Sequence, residues 1–543
     1  MRGLRRPAAR LAAALAVGWL AVAQAGQAVP PPEELEARGA VIGEVRVVIG
    51  DIFDTSIPGE SGWLYRAANR LHIETRPKVI RGQLLFRSGD PYRHRLLLET
   101  ERILRAKEYL YDANVVPVAF DGRVVDLEVR TRDVWTLNPG MNFNRRGGSN
   151  AFGFQVEESN LLGTGQKVEL EWQDGVDRES LTFSFSDPHF RHSFTRLAIA
   201  YSDADDGDTK HFRLERPFYA LDSRWSAGTV LTNSLRNDAR YALGKNIAEF
   251  EHRDEYYEFG GGWSKGLVGR WATRWTYGIT RERDQFAPDP LEPLVGPLPG
   301  DRELTYPWLG FELVEDSFEE RRNQDQIRRT EDVLVGFRAG GRLGVAVDGA
   351  GSDRDAFVLS AYVQDGVDLH PGQALFALAS LSGRLEDGKV VNGLLSGETR
   401  YYLATSHRSK FYASLSGTVT EQLDQEWQLL LGGDNGLRGY PLRYQAGTAR
   451  ALLTLEQRYY TGWYPFRLFH VGGAAFFDMG RTWGRDVTGL ESAGLLKDVG
   501  IGLRLGSSRS SFGNVIHIDL AFPLDGNGDI DDVQLLVETK GRF

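Results

Sequence analysis

The last stretch of the chain, VQLLVETKGRF at residues 533–543, decides the fold. Its side chains alternate, and one face of the segment carries Val533, Leu535, Val537, Thr539, Gly541 and Phe543. The opposite face carries Asp532, Gln534, Glu538, Lys540 and Arg542. A period of two residues places successive side chains on opposite sides of a β-strand. The chain is therefore predicted to end in an amphipathic strand.

The same alternation recurs upstream, in segments that include Leu181 to Phe185, Val168 to Trp172 and Leu453 to Tyr459. An apolar strand face lines the core of a soluble sandwich but faces lipid in a membrane barrel, so periodicity alone leaves both open. The number of segments, each about ten residues long as a tilted membrane strand requires, favours the barrel. A free aromatic end, Phe543, also resembles the assembly signal of outer-membrane barrels. Residues 134–543 are predicted to form a transmembrane antiparallel β-barrel.

The first 28 residues have the pattern of a secretory signal peptide. A basic start, MRGLRR, precedes an apolar run at residues 11–22 and a small-residue stretch at 23–28. This order predicts export and cleavage, with a retained signal anchor as the alternative. The chain has no cysteine, which excludes disulfides and thiolate metal sites. Its 64 basic against 74 acidic residues argue against nucleic-acid binding.

Residues 41–133 have a mixed pattern that predicts a small α+β domain. Strands are expected at 41–49, 115–120 and 124–130, with a hairpin turn at Asp121-Gly122. Helices are expected from Trp63 to Leu71 and behind Asp90-Pro91, where an N-cap residue precedes proline. Between them, Val79 to Phe86 is expected to be extended.

Two segments of this domain, LLFRSGDPYRHRLLLETERILRAKEYL at 84–110 and FDGRVVDLEVRTRDVWTL at 120–137, resemble a polypeptide-transport-associated (POTRA) domain. The resemblance implies a periplasmic module with an exposed sheet edge. A client segment could add to that edge as an extra strand through backbone hydrogen bonds. A simple stalk or plug is the alternative.

Two motifs narrow the family. The first is GGDNGLRGY at 432–440, and the second is FFDMG at 476–480. They resemble the inward loop and the F-x-D-x-G strand of the outer-membrane assembly-factor superfamily, which includes BamA, TamA and the two-partner secretion transporters. The resemblance implies that Leu437, Arg438, Gly439 and Tyr440 form the tip of a loop inside the barrel. It also implies an anchoring strand with Phe476, Asp478 and Gly480, in which Asp478 is the acid that pairs with Arg438.

The strand count agrees with this family only in part. Five strands follow Leu437, at about 449–460, 467–479, 497–506, 514–523 and 533–543. The resemblance implies a barrel of about sixteen strands, with eleven before the loop. About fifteen strand-like segments lie between Val134 and Leu431. Either some of them belong to loops or share one long strand, or the barrel is larger than the family norm. The Pro-rich stretch Ala287–Gly300 is expected to be an external loop.

Several patterns suggest catalysis or metal binding, but each lacks part of the residue set that such a site requires. Asp525–Asp531 spaces oxygen atoms like a calcium loop, but Ile530 replaces the glycine needed for the sharp turn. His189 and His192 have no further ligand in the sequence nearby except Asp187. His517 and Asp519 share a strand face without a nucleophile motif. Gly260–Gly262 lacks the Lys-Ser/Thr of a phosphate loop, and predicts a closely packed strand. The protein is predicted to be no enzyme, with no cofactor or metal.

The predicted function is assembly, insertion or translocation of polypeptides at the bacterial outer membrane, with the first domain in the periplasm. The expected partners are the outer-membrane lipid bilayer and unfolded client polypeptides, with accessory periplasmic proteins left open and no nucleic acid. The resemblance implies a weak seam between residues 134–145 and 533–543. The alternatives are a two-partner secretion exporter, which normally has two periplasmic modules, and a structural surface barrel without a client.

Overall fold

The computed structural model describes residues 29–289, 294–489, 492–511, 515–525 and 530–540. The predicted signal peptide and Phe543 lie outside these residues, as does most of the loop with calcium-like spacing.

The first part of the chain forms an N-terminal module of four helices and three strands, Pro32 to Asp133. The helices are α1 Pro32–Ala37, α2 Trp63–Leu71, α3 Pro77–Arg81 and α4 His94–Arg105. The strands are β1 Val41–Gly50, β2 Leu110–Phe120 and β3 Val124–Asp133. Strand β3 is central, parallel to β1 and antiparallel to β2. None of the described helices is both long and apolar enough to cross a membrane.

The module differs from the sequence prediction at two places. Pro77 begins the short helix α3, so the segment expected to be extended from Val79 is helical at its start. Asp90-Pro91 does not begin α4, which starts at His94. Instead the Asp90 carbonyl accepts the Ile42 N–H at 2.9 Å, so this segment runs along the edge of β1. The backbone carbonyl of Asp90 thus finds its hydrogen-bond partner in strand β1 and not in a helix that begins at this residue.

Residues from Leu137 onward form one closed barrel of 20 described strands. Fifteen precede the long loop at 422–448: β4 Leu137–Arg146, β5 Ser149–Glu158, β6 Lys167–Asp174, β7 Glu179–Phe190, β8 Thr195–Ala204, β9 Gly207–Arg216, β10 Trp225–Ala242, β11 Lys245–Val268, β12 Trp271–Pro288, β13 Arg302–Glu315, β16 Arg338–Ala346, β17 Ala356–His370, β18 Gln373–Glu386, β19 Lys389–Ser406 and β20 Ser409–Glu421. Five follow it: β23 Ala449–Tyr460, β24 Phe469–Trp483, β25 Leu496–Ser507, β26 Val515–Pro523 and β27 Gln534–Lys540.

The barrel is larger than the resemblance implied. The expected number of about sixteen strands is wrong, because fifteen wall strands precede the loop and five follow it.

Two hairpins connect wall strands without joining the wall. Strands β14 Phe318–Arg322 and β15 Thr330–Leu334 pair with each other between β13 and β16. Strands β21 Leu429–Leu431 and β22 Gln445–Gly447 pair within the long loop between β20 and β23. The connections of the barrel alternate between the end that carries the N-terminal module and the far end. The β14–β15 hairpin starts at the module end, and the long loop starts at the far end.

The wall has an apolar exterior and a polar interior. Phe259, Leu309 and Leu343 are exposed on the outside. On the inside, Arg342 pairs with Glu258 at 2.7 Å. An apolar outer surface around a polar lumen is the arrangement of a transmembrane β-barrel, because lipid faces the outside and every backbone group must pair within the wall.

Candidate functional site

The long loop at 422–448 folds from the far end into the lumen. Its neck is the β21–β22 pair, and its tip is the Leu437–Tyr440 segment. Leu437 and Tyr440 are fully buried and pack in one cluster with Leu431, Tyr444 and Leu496. The Tyr440 hydroxyl lies 2.7 Å from the carbonyl oxygen of Lys497 and 2.9 Å from that of Asp525. The apolar and polar parts of the tip are therefore both held by the barrel.

Arg438 makes the central contact of the tip. Its Nε donates to Asp478 Oδ2 at 2.7 Å and its Nη2 donates to Oδ1 at 3.0 Å. Nη1 donates to Glu456 Oε2 at 3.0 Å. The guanidinium also lies 3.4 Å from the centroid of the Phe476 ring. A bidentate carboxylate pair combined with ring stacking fixes both the position and the plane of the guanidinium, which a lysine would not reproduce.

The strand motif on β24 supplies the receptor for this tip. Asp478 is fully buried and also accepts the Thr454 hydroxyl at 2.8 Å. Phe476 provides the ring beneath Arg438. At Gly480 a Cβ would lie 3.0 Å from Leu431 Cδ2, so the glycine leaves room for the loop neck. The structure thus brings the two motifs together as one contact surface.

Gly439 is needed because the tip approaches the wall closely. A Cβ at this position would lie 2.6 Å from the Cβ of Asp498 and 3.1 Å from the backbone nitrogen of Pro523. Both atoms belong to the wall or its immediate end, so neither can move aside as the end of a flexible side chain would.

Gly439→Ala is expected to push the tip away from β25 and to destabilise the barrel by about 1–3 kcal/mol, the usual cost of overpacking. The measurement is thermal unfolding of the purified protein in detergent, followed by circular dichroism. The matched control is Gly417→Ala on β20, where the nearest atom would be 3.6 Å away and ordinary contact results. Equal stability of the two variants would contradict this explanation of the glycine.

The ion pairs extend beyond the two motifs, and sequence reasoning did not identify this extension. Glu456 accepts Arg458 Nε at 2.9 Å on its other carboxylate oxygen. Arg504 lies 3.5 Å from Glu456 and pairs with Asp519, whose Oδ2 is 3.5 Å from Arg438. The sequence pattern that could have indicated these ion pairs is on β23, where Thr454, Glu456, Arg458 and Tyr460 alternate with Leu453, Leu455 and Tyr459. Their mutual contacts depend on neighbouring strands that no local pattern reveals.

A second element enters the lumen from the module end. We call residues 318–334, the β14–β15 pair and its tip, the plug hairpin. The backbone carbonyl of Gln324 accepts Arg458 Nη1 at 2.8 Å, and that of Asn323 accepts the Tyr460 hydroxyl at 2.7 Å. The Asp325 carboxylate accepts the Tyr402 hydroxyl at 2.9 Å. Arg458 therefore donates hydrogen bonds both to the plug hairpin and to Glu456. Glu456 in turn accepts a hydrogen bond from Arg438 of the loop.

The plug hairpin also contacts the N-terminal module. Arg105 on α4 donates to Asp332 at 2.9 and 2.6 Å and lies 2.8 Å from Glu320. The same side chain donates to the Ala113 carbonyl on the outer edge of β2 at 3.0 Å, and Glu101 accepts the Val115 N–H there at 2.6 Å. Burial raises the pKa of Glu101 to about 7, although the Val115 N–H and Arg105 act in the opposite direction. A chain of contacts thus runs from the module through the plug hairpin to the loop.

The sequence motifs that had been discounted have structural positions of their own. His517 and Asp519 lie with Glu538 in one buried group whose ligand atoms are within 4.8 Å of one another. Asp519 already pairs with Arg504, and Glu538 with Arg146, so cationic side chains occupy both carboxylates. His189 lies 3.3 Å from the Tyr109 hydroxyl of the module. At Gly260 a Cβ would lie 3.2 Å from the Trp308 ring, which explains the glycine by packing.

The fold and the two elements inside the lumen define the class of this protein, a transmembrane β-barrel of the outer-membrane type with an inward-folded loop and an N-terminal module. No family model matches the chain, and no curated protein matches it. Among solved structures, BamA from Haemophilus ducreyi lacking POTRA domains 1–3 is similar at 12% identity and a TM-score of 0.39, covering 92% of this chain and 84% of BamA.

CdiB from Escherichia coli is similar at 11% identity and a TM-score of 0.47, covering 93% of this chain and 77% of CdiB. CdiB from Acinetobacter baumannii is similar at 11% identity and a TM-score of 0.44, covering 92% and 73%. At 11–12% identity, these likenesses concern the fold alone.

Proposed function

We propose that the protein is an outer-membrane insertase of the assembly-factor superfamily, which opens between its first and last barrel strands to template a client polypeptide. The observation that carries this proposal is the weak junction between β27 and β4. Among the described residues these strands share one paired position, Val537 with Arg145. By contrast, β26 and β27 pair at seven positions and β4 and β5 at ten.

A weakly paired junction is suited to strand exchange. Unpaired N–H and C=O groups at a strand edge bind another strand with little demand on its sequence. One ion pair, Arg146 Nε to Glu538 at 2.9 Å, crosses this junction on the lumen side. Opening it would expose the edges of β4 and β27 toward lipid. Folding of the client would supply the free energy, without nucleotide or metal.

The two elements inside the lumen favour a lateral route over threading. The loop enters from the far end and the plug hairpin from the module end, and Arg458 and Glu456 join them. A dedicated exporter, the alternative in the same transport class, would need to remove both elements to pass a chain through the lumen. In a lateral insertase the client passes through the open seam and not through the lumen.

The N-terminal module has a role in this proposal as the first contact of the client, in the manner of a POTRA domain. Its β2 edge is partly covered, because Glu101 and Arg105 bind the Val115 N–H and the Ala113 carbonyl. Pro117 offers no N–H on the same strand. A client strand that adds here must displace Arg105, which also holds the plug hairpin. Client capture and loosening of the plug hairpin are therefore linked in this proposal.

Locking the seam with a disulfide is expected to abolish client insertion. Because the chain lacks cysteine, Arg145→Cys with Val537→Cys introduces one defined pair at directly opposed positions, where the Cα separation suits a disulfide. The purified protein is reconstituted in liposomes, and the membrane-inserted fraction of an unfolded model barrel protein is followed over time. The oxidised protein should be no faster than empty liposomes, and reduction should restore the wild-type rate.

The control lock is Asn144→Cys with Ala151→Cys, an opposed pair within the β4–β5 hairpin that no opening would separate. It should leave the rate unchanged. Full activity of the oxidised seam variant would refute lateral opening and favour passage through the lumen. No acceleration by the folded wild-type barrel would instead favour a structural surface protein.

A further inference from the structure

Helix α2 of the N-terminal module has one packed face and one open apolar face. On the packed face the Tyr65 ring lies 4.8 Å from that of Phe53, and Asn69 binds both backbone groups of Phe53 at 3.0 and 2.8 Å. On the open face Trp63, Leu64 and Leu71 are exposed by 74%, 60% and 73%. At 100° per residue these three side chains fall within one stripe about 100° wide. No residue of α2 is buried.

Helix α2 lies beside the rim of the barrel at the module end, with its packed face toward the barrel. The Tyr65 hydroxyl is 3.4 Å from the carbonyl oxygen of Phe466, in the turn between β23 and β24. That turn exposes Trp463 and Phe466 by 64% and 79%. Exposed aromatic side chains at the end of barrel strands mark the boundary between lipid and water. Helix α2 therefore lies at the level of the aromatic rim of the barrel, and its open stripe faces away from the packed contact with that rim.

Charge on α2 fits the same boundary. Arg66 and Arg70 are exposed next to the stripe, and the helix, WLYRAANRL, contains no acidic residue. Amphipathic helices with aromatic and leucine side chains on one face and arginine or lysine at its margin lie in the plane of a membrane interface. The arginines would meet the phosphates of anionic lipids while the apolar side chains enter the upper acyl region.

We propose that α2 lies in the lipid interface of the leaflet next to the N-terminal module and fixes that module against the membrane. The ligand is the anionic lipid surface. Trp63, Leu64 and Leu71 enter it, and Arg66 and Arg70 bind its headgroups. The inference requires the barrel to sit in a bilayer but does not depend on the client or on seam opening, so it can fail independently of the proposed insertase activity.

A single fluorescent label tests this contact in the full-length protein. Leu64→Cys gives a unique thiol, since the chain has no cysteine, and carries an environment-sensitive dye. The protein is reconstituted in vesicles of phosphatidylcholine and phosphatidylglycerol with bromine near the top of the acyl chains. Interfacial helices insert roughly 5–10 Å, so the bromines should quench the emission about twofold or more. Adding Arg66→Glu and Arg70→Glu should reduce this quenching.

The control label is Arg123→Cys, an exposed position at the free end of the β2–β3 hairpin. Ten residues separate it from Asp133, where β3 ends and the chain continues into the barrel. At the rise of a β-strand this is about 30 Å. Bromolipids should leave it unquenched. Equal signals at both positions, or no quenching at position 64, would overturn the proposal. A blue-shifted but unquenched label at position 64 would also overturn it, since a protein partner would then cover α2.

Discussion

Replacing Arg438 by alanine is expected to release the loop at 422–448 from the lumen and to destabilise the barrel by about 3–5 kcal/mol, the cost of breaking a buried ion pair. The reason is that Asp478 and Glu456, both buried, would then lack their shared guanidinium. Thermal unfolding in detergent measures the stability. The liposome insertion assay measures the function, and we expect the acceleration of client folding to be lost as well.

Two variants make this test specific. Arg438→Lys retains the charge but loses the bidentate geometry and the stacking on Phe476, so an intermediate effect is expected. Arg443→Ala removes an arginine from the same loop whose pair with Asp177 at 2.6 Å is partly exposed, so less than about 1 kcal/mol is expected. If Arg438→Ala were as stable and active as Arg443→Ala, the lumen contact would have no role in holding the loop.

Shortening the plug hairpin is expected to turn the barrel into an ion-conducting pore. Phe318 and Leu334 are opposed across the hairpin, so an Asn-Gly turn can join them directly and remove residues 319–333. Barrels of 16–18 strands leave an aqueous channel and those of 22 strands hold a plug, so a lumen of 20 strands is wide enough to conduct when unfilled. Conductance across a planar bilayer is the measurement, and it should rise further when Arg438→Ala is added.

The matched control stays within the same hairpin. Arg322 and Thr330 face each other at an exposed position with only a 3.5 Å contact, so Arg322→Ala should leave the lumen filled and the conductance unchanged. A correctly folded shortened variant with wild-type conductance would show that the loop alone closes the lumen. The plug hairpin would then have no gating function.

Much of the barrel could be predicted from local pattern. The five wall strands observed after the loop are those expected after Leu437, with bounds shifted by a few residues. Before the loop the wall has fifteen strands, in line with the count of about fifteen strand-like segments, although β14 and β15 in the same interval lie outside the wall. Alternation is visible locally because a strand that separates lipid from a polar lumen must alternate. The number sixteen came from the family resemblance and was wrong, whereas the alternative of a larger barrel agrees with the 20 described strands.

The N-terminal module shows where local pattern fails. Helix α2 and the hairpin at Asp121-Gly122 were predictable, since each depends on neighbours in sequence. Asp90-Pro91 has the composition of a helix start, yet it pairs with β1 through the Ile42 N–H. This hydrogen bond joins the segment to a strand that is distant in sequence. A local sequence window does not include that strand, so the pairing could not be predicted from it.

The sequence by itself determined the amphipathic strands, the two motifs and the module that precedes the barrel, because each depends on residues close in the chain. Only the tertiary structure decided that Arg438 shares Glu456 with Arg458, and that the plug hairpin reaches the same network from the other end. Such contacts join strands far apart in sequence across a closed lumen. Burial there makes an uncompensated charge costly, so the pairing of charges is fixed by the closed barrel and not by any single strand.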